Sequence, residues 1–288
     1  MLTALGALRS IADLALPRVC VVCGVQLNLF EEHICLCCLQ DLPLTHHWEL
    51  KHNPMADKFN SKIALREGSG GRERYCYAAS LFYYRDSSPY NNIPQALKYR
   101  SDIASGLYFS RMLGEYLASA EWMRDVDAVV SVPLHWRRKW SRGYNQAEVI
   151  ARGVASMLPG ASVLDLLVRR RATLTQTRLE SDAKASNVRG AFALSRKYRP
   201  SPSRFGEAGD DGLVDAGDIN LDVAGDCRLG KAGGASLGAA GIEGLRHILL
   251  VDDVFTSGST VSECYAALRE GLGYSPRISV ASLAYVDD

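Results

Sequence analysis

Residues 247–260 read HILLVDDVFTSGST: an apolar run, two acids and then a series of small, mostly hydroxylated residues. The segment HILLVDDV predicts a buried strand, and STVSECYAALREGL, after the turn, has the spacing of a helix beginning near Thr260. A strand that passes through a tight turn into a helix is the repeating unit of α/β folds. The segment therefore predicts an α/β protein in which this turn lies at the carboxyl edge of the sheet, where such folds bind ligands.

Strand and helix patterns alternate along the chain from Tyr75 onward. Four further segments predict strands: CYAASLFYY, VDAVVSV, GAFAL and RISVASLAYV. Two segments between them predict helices: IASGLYFSRMLGEYLASA and NQAEVIARGVASML. This alternation predicts a mostly parallel, twisted sheet with helices on both faces.

Composition divides the chain into three regions. Residues 1–45 contain a cysteine cluster and an apolar repeat of helical spacing, which predicts a short amphipathic helix before Pro17. Residues 46–75 are polar and weakly patterned, which indicates a connecting loop. Residues 76–288 form the predicted α/β domain, interrupted at about 201–244 by a stretch rich in Gly, Ala, Asp and Ser. We expect this stretch to be a flexible surface insertion, with a small hairpin as one option at its centre.

The bulk composition is that of a soluble globular protein. Net charge is +1, with 47% apolar and 23% charged residues, so a site for anions must be local. No apolar run reaches the about 18 residues that a membrane span requires. The apolar start lacks a basic first region and contains Arg9 and Asp13, which argues against a signal peptide. We therefore expect a cytoplasmic protein.

The predicted turn has the chemistry of a phosphate site. Its residues are Thr256, Ser257, Gly258, Ser259 and Thr260, which leave backbone N–H groups accessible and add hydroxyl donors beside a helix N-terminus. Asp252 and Asp253, just before the turn, can accept hydrogen bonds from two adjacent sugar hydroxyls. The alternative is an acidic strand end followed by helix caps, and we expect Ser259 and Thr260 to contribute capping in either case.

A basic segment follows the strand VDAVVSV. PLHWRRKWSRGYNQ contains Arg137, Arg138, Lys139 and Arg142, and the pattern predicts a cationic loop before a helix. Such a loop suits pyrophosphate, because guanidinium groups bind it in a bidentate manner. Interleaved aromatic residues, Trp136, Trp140 and Tyr144, also fit single-stranded nucleic acid, and a plain basic surface is the third option. Upstream, Lys98 and Arg100 either add charge to the same pocket or only favour a helix end.

Five of the eight cysteines fall within residues 20–38. Cys20-x-x-Cys23 and Cys35-x-x-Cys38 have the spacing of a tetrahedral four-thiolate Zn²⁺ site of structural type. Cys37 is an alternative to Cys38, and His33 is a weaker candidate ligand. Reduced buried thiols or a redox pair are the alternatives to a metal.

Five motifs together resemble one known family. ILLVDDVFTSGST is similar to the signature with which type I phosphoribosyltransferases bind phosphoribosyl pyrophosphate (PRPP). CVVCG, ALKYR, SVPLHWRRKWSRGYNQAEVIA and TLTQTRLESDAKASNVRGAF follow the order found in the ComF family. That family includes competence proteins implicated in DNA uptake. The chain is thereby identified as resembling ComF proteins, with a type I phosphoribosyltransferase-like fold preceded by a small zinc ribbon.

The resemblance implies roles for the motifs. Mg²⁺-PRPP would be held by the acidic pair, the phosphate turn and the pyrophosphate-binding basic loop, for phosphoribosyl transfer in DNA uptake or nucleotide metabolism. Residues 173–189 would form a lid, in which Thr173, Gln176 and Asn187 match ComF positions, and Lys98 would add charge. The alternative is a non-catalytic PRPP sensor or a single-stranded-DNA-binding adaptor that uses the same phosphate loops, with DNA-uptake proteins as partners.

Overall fold

The computed structural model of the chain describes residues 17–67, 74–171, 190–198, 242 and 244–287. The amphipathic helix predicted before Pro17 lies outside these ranges, as does the predicted lid at 173–189. Nearly all of the predicted insertion, residues 201–241 and 243, also lies outside the described residues. What was predicted for these three segments therefore stays a prediction.

Five parallel strands form the central sheet, in the order β1–β7–β6–β2–β3. These strands are β1 Ala78–Tyr84, β2 Ala128–Ser131, β3 Ser162–Val163, β6 His247–Phe255 and β7 Arg277–Val286. Two shorter strands, β4 Leu167–Arg169 and β5 Phe192–Leu194, form a separate antiparallel pair. Most residues of the long strands are buried, as expected for parallel strands covered on both sides. The prediction of an α/β fold with a mostly parallel sheet is confirmed.

The described ranges contain seven α-helices. They are α1 Leu36–Gln40, α2 Pro54–Glu67, α3 Asn92–Tyr99, α4 Ile103–Ser119, α5 Trp136–Arg142, α6 Gln146–Ala155 and α7 Ser259–Leu272. Within those ranges, none of the helices combines the length and apolar character needed to cross a membrane.

Alternate residues of β6 belong to two different apolar cores. Leu249 and Val251 pack in the core to which α4 and α6 contribute, whereas Ile248 and Leu250 pack in the core to which α2 and α7 contribute. Because side chains alternate along a strand, the two cores lie on opposite faces of the sheet, here called the α4/α6 face and the α2/α7 face. Helices on both faces are thus confirmed.

The loop predicted for residues 46–75 is wrong for Pro54–Glu67, which form α2. Asn53 caps this helix, since its Oδ1 accepts a hydrogen bond from Ala56 N at 2.9 Å, and Pro54 occupies the first helical position. Met55, Phe59 and Ile63 recur every four residues and are buried in the α2/α7 core. Polar residues between them obscured this pattern, although the cap and the proline were readable in the sequence.

The same region covers the free edge of β1. Asn53 Nδ2 donates to Ala78 O at 2.9 Å, and Asn60 Nδ2 donates to Cys76 O at 2.8 Å. Thr45 N donates to Leu81 O at 3.1 Å in the same way. An exposed strand edge would present unpaired backbone groups, so these contacts close the sheet on this side.

The cysteine-containing residues 17–45 pack directly on the α/β domain. Asn92 Nδ2 donates to Val22 O at 3.1 Å, and the Tyr90 hydroxyl donates to Cys38 O at 3.0 Å. Val22, Leu27 and Ile34 are buried in the same core as α4 and α6. This region therefore shares its core with the α/β domain.

Candidate functional site

The acidic pair lies near the carboxyl end of β6, between β7 and β2. The strand continues to Phe255, which pairs with Tyr285 of β7, so both acids lie inside the strand, as predicted for HILLVDDV. Successive side chains of a strand point to opposite faces. Counted from Val251, Asp253 is on the α4/α6 face, where it pairs with Lys98 of α3, and Asp252 is on the α2/α7 face, where its charge acts on Cys264 of α7. The alternation ends after this pair, since Val254 packs against the α4/α6 core and Phe255 lies in the α2/α7 core.

Asp253 forms an ion pair with Lys98, whose Nζ lies 2.9 Å from Asp253 Oδ2. Lys98 is in the last turn of α3, which is fixed on this face by the buried side chains of Ile93 and Leu97. Burial lowers the pKa of Lys98, but the Asp253 carboxylate outweighs it and the pKa is raised overall. The structure thus brings Lys98 to the acidic pair.

Asp252 is in a different electrostatic setting. Its Oδ1 accepts a hydrogen bond from Asp253 N at 2.9 Å. Although part of its surface reaches solvent, protein atoms enclose the carboxyl group. This burial, followed by the charge of Asp253, raises its pKa to about 7, while Lys98 and Arg169 act in the opposite direction. Asp252 is therefore near its titration midpoint at neutral pH.

The residues after β6 form the predicted turn. Gly258 has a left-handed φ of 70° and precedes α7 as its N-cap. A Cβ atom on Gly258 would lie 2.7 Å from Phe255 Cζ, so both the backbone conformation and the available space require glycine. Thr256 is exposed, and Ser257 Oγ lies 2.9 Å from Ser259 Oγ.

The prediction that Ser259 and Thr260 cap α7 is wrong, because both lie inside the helix. No side chain among the described residues caps its N-terminus. The first N–H groups of a helix have no partner within the helix, and they carry its positive dipole end. The start of α7 therefore offers hydrogen-bond donors and a positive dipole end next to the acidic pair, the chemistry that an anion site needs.

The cationic loop predicted at residues 137–142 is wrong, because Trp136–Arg142 form the short helix α5. His135 caps it, with Nδ1 accepting a hydrogen bond from Arg137 N at 3.3 Å. Gly143 ends it with a left-handed φ of 81°. The four predicted cations are thus arranged by helical spacing, which gives them different surroundings.

Arg138 and Arg142 are one turn apart on α5 and half-buried. Arg142 Nη1 donates to Gln146 Oε1 at 3.1 Å, and its guanidinium lies 5.4 Å from the centre of the Tyr99 ring. Arg138 and Arg142 thus place two guanidinium groups on the half-buried side of α5.

The opposite side of α5 is exposed. Trp136 and Trp140 are 57% and 82% exposed, and Arg137 and Lys139 are exposed beside them. The Arg137 guanidinium lies 5.2 Å from the centre of the Trp136 ring. Pyrophosphate binding would therefore use the half-buried side of α5, and nucleic-acid binding would use its exposed side.

Two residues that the motifs did not single out lie near this site. His135 is buried, and its pKa is lowered by burial and then by the positive charges of Arg169, Arg137 and Arg138. Arg169 ends β4, and its pKa is lowered by burial and by Arg138 while Asp252 acts to raise it. The run RRR at 169–171 was visible in the sequence, but the pairing of β4 with distant β5 decides which arginine turns inward. The remaining predicted contacts, Gln176 and Asn187, lie outside the described residues.

The thiols of Cys20, Cys23, Cys35 and Cys38 form a compact group in which all sulfur atoms lie within 4.8 Å of one another. Cys23 Sγ and Cys35 Sγ are 3.7 Å apart. Zn–S bonds of about 2.3 Å in a tetrahedron place sulfur atoms about 3.8 Å apart, so the group is compatible with structural zinc. Among the described residues, the exposed Cys37 and the His33 ring, which packs on Tyr108, are not part of this group.

No protein-family model matches the chain. The chain is similar to the DNA utilization protein YhgH of Salmonella typhi and of Escherichia coli strain K12, with 29% identity over 176 residues in both cases. These matches cover 60% of this chain and 57% of each relative. Competence protein F of Haemophilus influenzae is 25% identical over 144 residues, which are 50% of this chain and 44% of that protein. The chain thus spans only about half the length of these curated relatives, from 44% to 57%. The resemblance first drawn from the motifs is confirmed at this level, and the chain is ComF-like.

Proposed function

We propose that the chain binds PRPP at the carboxyl edge of its sheet, as a phosphoribosyltransferase-like protein that serves competence or DNA utilization. The end of β6 carries this proposal. Asp252 and Asp253 are followed within a few residues by the Gly258 turn and by the uncapped start of α7. Acceptors for hydroxyl groups and donors for a phosphate thus occur in one short segment, as the ribose and 5′-phosphate of PRPP require.

In the proposed complex, each segment at the carboxyl edge of the sheet contacts a different part of PRPP. A ribose over the end of β6 reaches Asp252 from one side and Asp253 from the other. The 5′-phosphate accepts hydrogen bonds from the turn at residues 256–260. The pyrophosphate group contacts the half-buried side of α5, where Arg138 and Arg142 lie. Mg²⁺ bound with PRPP would offset part of the diphosphate charge.

The same contacts would support transfer of the phosphoribosyl group. The bond between C1 and the pyrophosphate oxygen breaks, pyrophosphate leaves with the electron pair, and a nucleophile forms the new bond to C1. Positive charge develops on the sugar in the transition state, and nearby carboxylates stabilise it. Guanidinium groups stabilise the departing pyrophosphate in the same step.

The names of the relatives give the biological setting of the proposal. YhgH is named for DNA utilization and the Haemophilus protein for competence. We extend that role to this chain, with a cytoplasmic location and with DNA-uptake proteins as partners. The four-thiol group would bind Zn²⁺ through Cys20, Cys23, Cys35 and Cys38 as a structural site, because four protein ligands leave no open coordination position.

A second candidate function is supported by the exposed side of α5. Two exposed indole rings one helical turn apart, with Arg137 and Lys139 between them, offer stacking surfaces and charge for single-stranded DNA. This function is compatible with PRPP binding, since the PRPP contacts use the other side of the helix. Trp140→Ala should weaken binding of a fluorescent oligonucleotide by about tenfold. Phe30→Ala, which removes a 94% exposed aromatic ring elsewhere, is the matched control.

Calorimetric titration of the full chain with PRPP, in the presence of Mg²⁺, tests the main proposal. Binding of PRPP together with pyrophosphate release in the presence of a nucleobase would support an enzyme, and the assay is run over a panel of bases with and without single-stranded DNA. Binding without release would support the PRPP sensor. Absence of PRPP binding by the folded, zinc-loaded chain would overturn the proposal. Zinc content is measured on the same samples, with Cys20→Ser expected to lose the metal and Cys37→Ser to keep it.

A further inference from the structure

The short helix α3 connects the four-thiol group to the acidic pair of β6. At the start of the helix, Asn92 Nδ2 donates a hydrogen bond to Val22 O at 3.1 Å, and Val22 lies between the two members of the first cysteine pair. Just before the helix, the Tyr90 hydroxyl donates to Cys38 O at 3.0 Å, in the second cysteine pair. Both cysteine pairs are therefore joined to the start of α3 by hydrogen bonds.

The other end of α3 contacts the site proposed for PRPP. Lys98, in its last turn, forms the ion pair with Asp253 at 2.9 Å. Tyr99 is the last residue of α3, and the centre of its ring lies 5.4 Å from the guanidinium of Arg142 on α5. The end of α3 thus contacts a carboxylate and a cation that are both proposed to bind the ligand.

The helix α3 is too short to hold this position by itself. It has eight residues, and isolated helices of fewer than about 12 residues are only marginally stable in water. Its position depends on the buried side chains of Ile93 and Leu97, which share one apolar core with Val22 and Ile34 of the cysteine-containing region. A change in that region would therefore remove both packing and hydrogen bonds from α3.

The cysteine-containing region, residues 17–45, has little regular structure of its own. All of these residues are described, and they contain one helix of five residues, α1, and take part in two isolated β-bridges. In small regions of this kind, the free energy of metal binding contributes to folding. Zn²⁺ bound by the four thiols would therefore hold the carbonyl groups of Val22 and Cys38 where α3 contacts them.

We infer that Zn²⁺ at the four-thiol group and PRPP at the acidic pair are coupled through α3, so that each increases the affinity of the chain for the other. Tyr90 and Asn92 are positioning residues, because they fix the start of the helix that presents Lys98 to Asp253. The inference rests on the proposed function and adds regulation by the metal to it. Coupling between two sites is reciprocal, so both affinities rise by the same factor.

The zinc affinity of the full chain, measured with and without saturating PRPP, tests the coupling. Zinc is titrated in competition with a coloured chelator at constant Mg²⁺, and zinc bound by PRPP itself is measured in samples without protein. We expect PRPP to raise the zinc affinity by about fivefold or more. An unchanged zinc affinity in a chain that binds PRPP would overturn the inference and leave the proposed function in place. A folded, zinc-loaded wild type that does not bind PRPP would overturn both.

Tyr90→Phe tests the route through α3, because it removes the hydroxyl that donates to Cys38 O and keeps the ring. Tyr75→Phe is the matched control, since it removes a hydroxyl that donates to Asp57 Oδ1 at 2.6 Å, away from α3. Both variants are titrated with PRPP at full zinc occupancy. We expect Tyr90→Phe to weaken PRPP binding by about twofold to tenfold and to reduce the coupling to zinc. Tyr75→Phe should leave both unchanged.

Combining Tyr90→Phe with Lys98→Met distinguishes this route from a general loss of stability. If α3 acts through Lys98, Tyr90→Phe should not weaken PRPP binding further once Lys98 is replaced, whereas independent effects add. Additive effects would overturn the inference, as would wild-type PRPP affinity in Tyr90→Phe. Zinc content and urea denaturation show that each variant is loaded and folded. Should Tyr90→Phe not fold, Asn92→Ala, which removes the donor to Val22 O, takes its place with the same expected results.

Discussion

Asp252 and Asp253 are adjacent in the chain and identical in chemistry, but they occupy opposite faces of β6. On the α4/α6 face, Asp253 is paired with Lys98 at 2.9 Å. On the α2/α7 face, burial and the neighbouring acid raise the pKa of Asp252 to about 7, with the charge of Arg169 opposing this rise. One acid forms an ion pair with a lysine, and the other is close to changing its charge at neutral pH.

This difference shows how a parallel strand can give two equal side chains different properties. Because side chains alternate along the strand, the two acids lie in different packing environments. The environment of Asp253 contains the Lys98 ammonium, whereas that of Asp252 raises its pKa. A sugar bound over the strand end would meet both kinds of carboxyl. Asp253 would meet the sugar as the partner of Lys98, whereas the charge of Asp252 would respond to the ligand and to pH.

Replacing both acids with asparagine should have the largest effect on ligand binding. Asp252→Asn combined with Asp253→Asn keeps the shape of the strand end and removes the charge from its contacts with the ribose. At about 1–2 kcal/mol per contact, PRPP affinity should fall by about one to two orders of magnitude or more. Free pyrophosphate should bind nearly as well as before, and calorimetric titration measures both ligands.

Two exposed aspartates provide the control for this double variant. Asp86→Asn combined with Asp165→Asn makes the same change of charge away from β6 and should leave PRPP binding unchanged. Equal PRPP affinity in the wild type and the β6 double variant would mean that the acidic pair is only a strand-end turn.

The sequence predicted the elements of this site better than their orientation. The strand, the acidic pair and the turn were readable, because apolar patterning and the small residues around Gly258 are local signals. The strand HILLVDDV was predicted, and β6 extends it only by Phe255, which pairs with Tyr285 of β7. The sequence did not show which helices cover each face of the strand, because those contacts connect residues distant in the chain.

In the basic segment, too, the sequence predicted the residues but not their orientation. Its cations were predicted, but the cap formed by His135 and the stop at Gly143 turn the expected loop into α5 and separate half-buried from exposed cations. Arg169 was not singled out, because its position depends on β4 pairing with β5 across residues 172–189. The zinc-type cysteine spacing, by contrast, was sufficient to identify the four grouped thiols, since knuckle geometry is set within a few residues.

Replacing Asp252 or Asp253 singly should change the free energy of unfolding by different amounts. Asp253→Asn leaves the charge of Lys98 without its carboxylate, and Lys98 is only 26% exposed. We expect this variant to lose about 1–3 kcal/mol in the free energy of unfolding. Asp252→Asn should be neutral or stabilising at pH 8, because it removes a carboxyl group whose charged form is disfavoured by burial.

Urea denaturation of both variants and of Asp86→Asn, all without ligand, checks this contrast. A larger loss of stability for Asp252→Asn than for Asp253→Asn at pH 8 would reverse the comparison. The carboxyl of Asp252 would then be the one that the folded chain holds in its charged form.

The charge change of Asp252 should also make the stability of the folded chain depend on pH. The pKa of Asp252 is 3.8 in the reference state and about 7 in the folded chain, so the folded chain binds more protons between these values. The stability that the carboxyl contributes is fully present below about pH 4 and is lost as the pH rises through about 7. Asp252→Asn removes this dependence. The unfolding free energy of the variant relative to the wild type should therefore increase from pH 4 to pH 8 and then level off. Other titrating groups affect both proteins alike and cancel in this difference. A difference that stays constant over this range, measured by urea denaturation without ligand, would show that folding does not raise the pKa of Asp252.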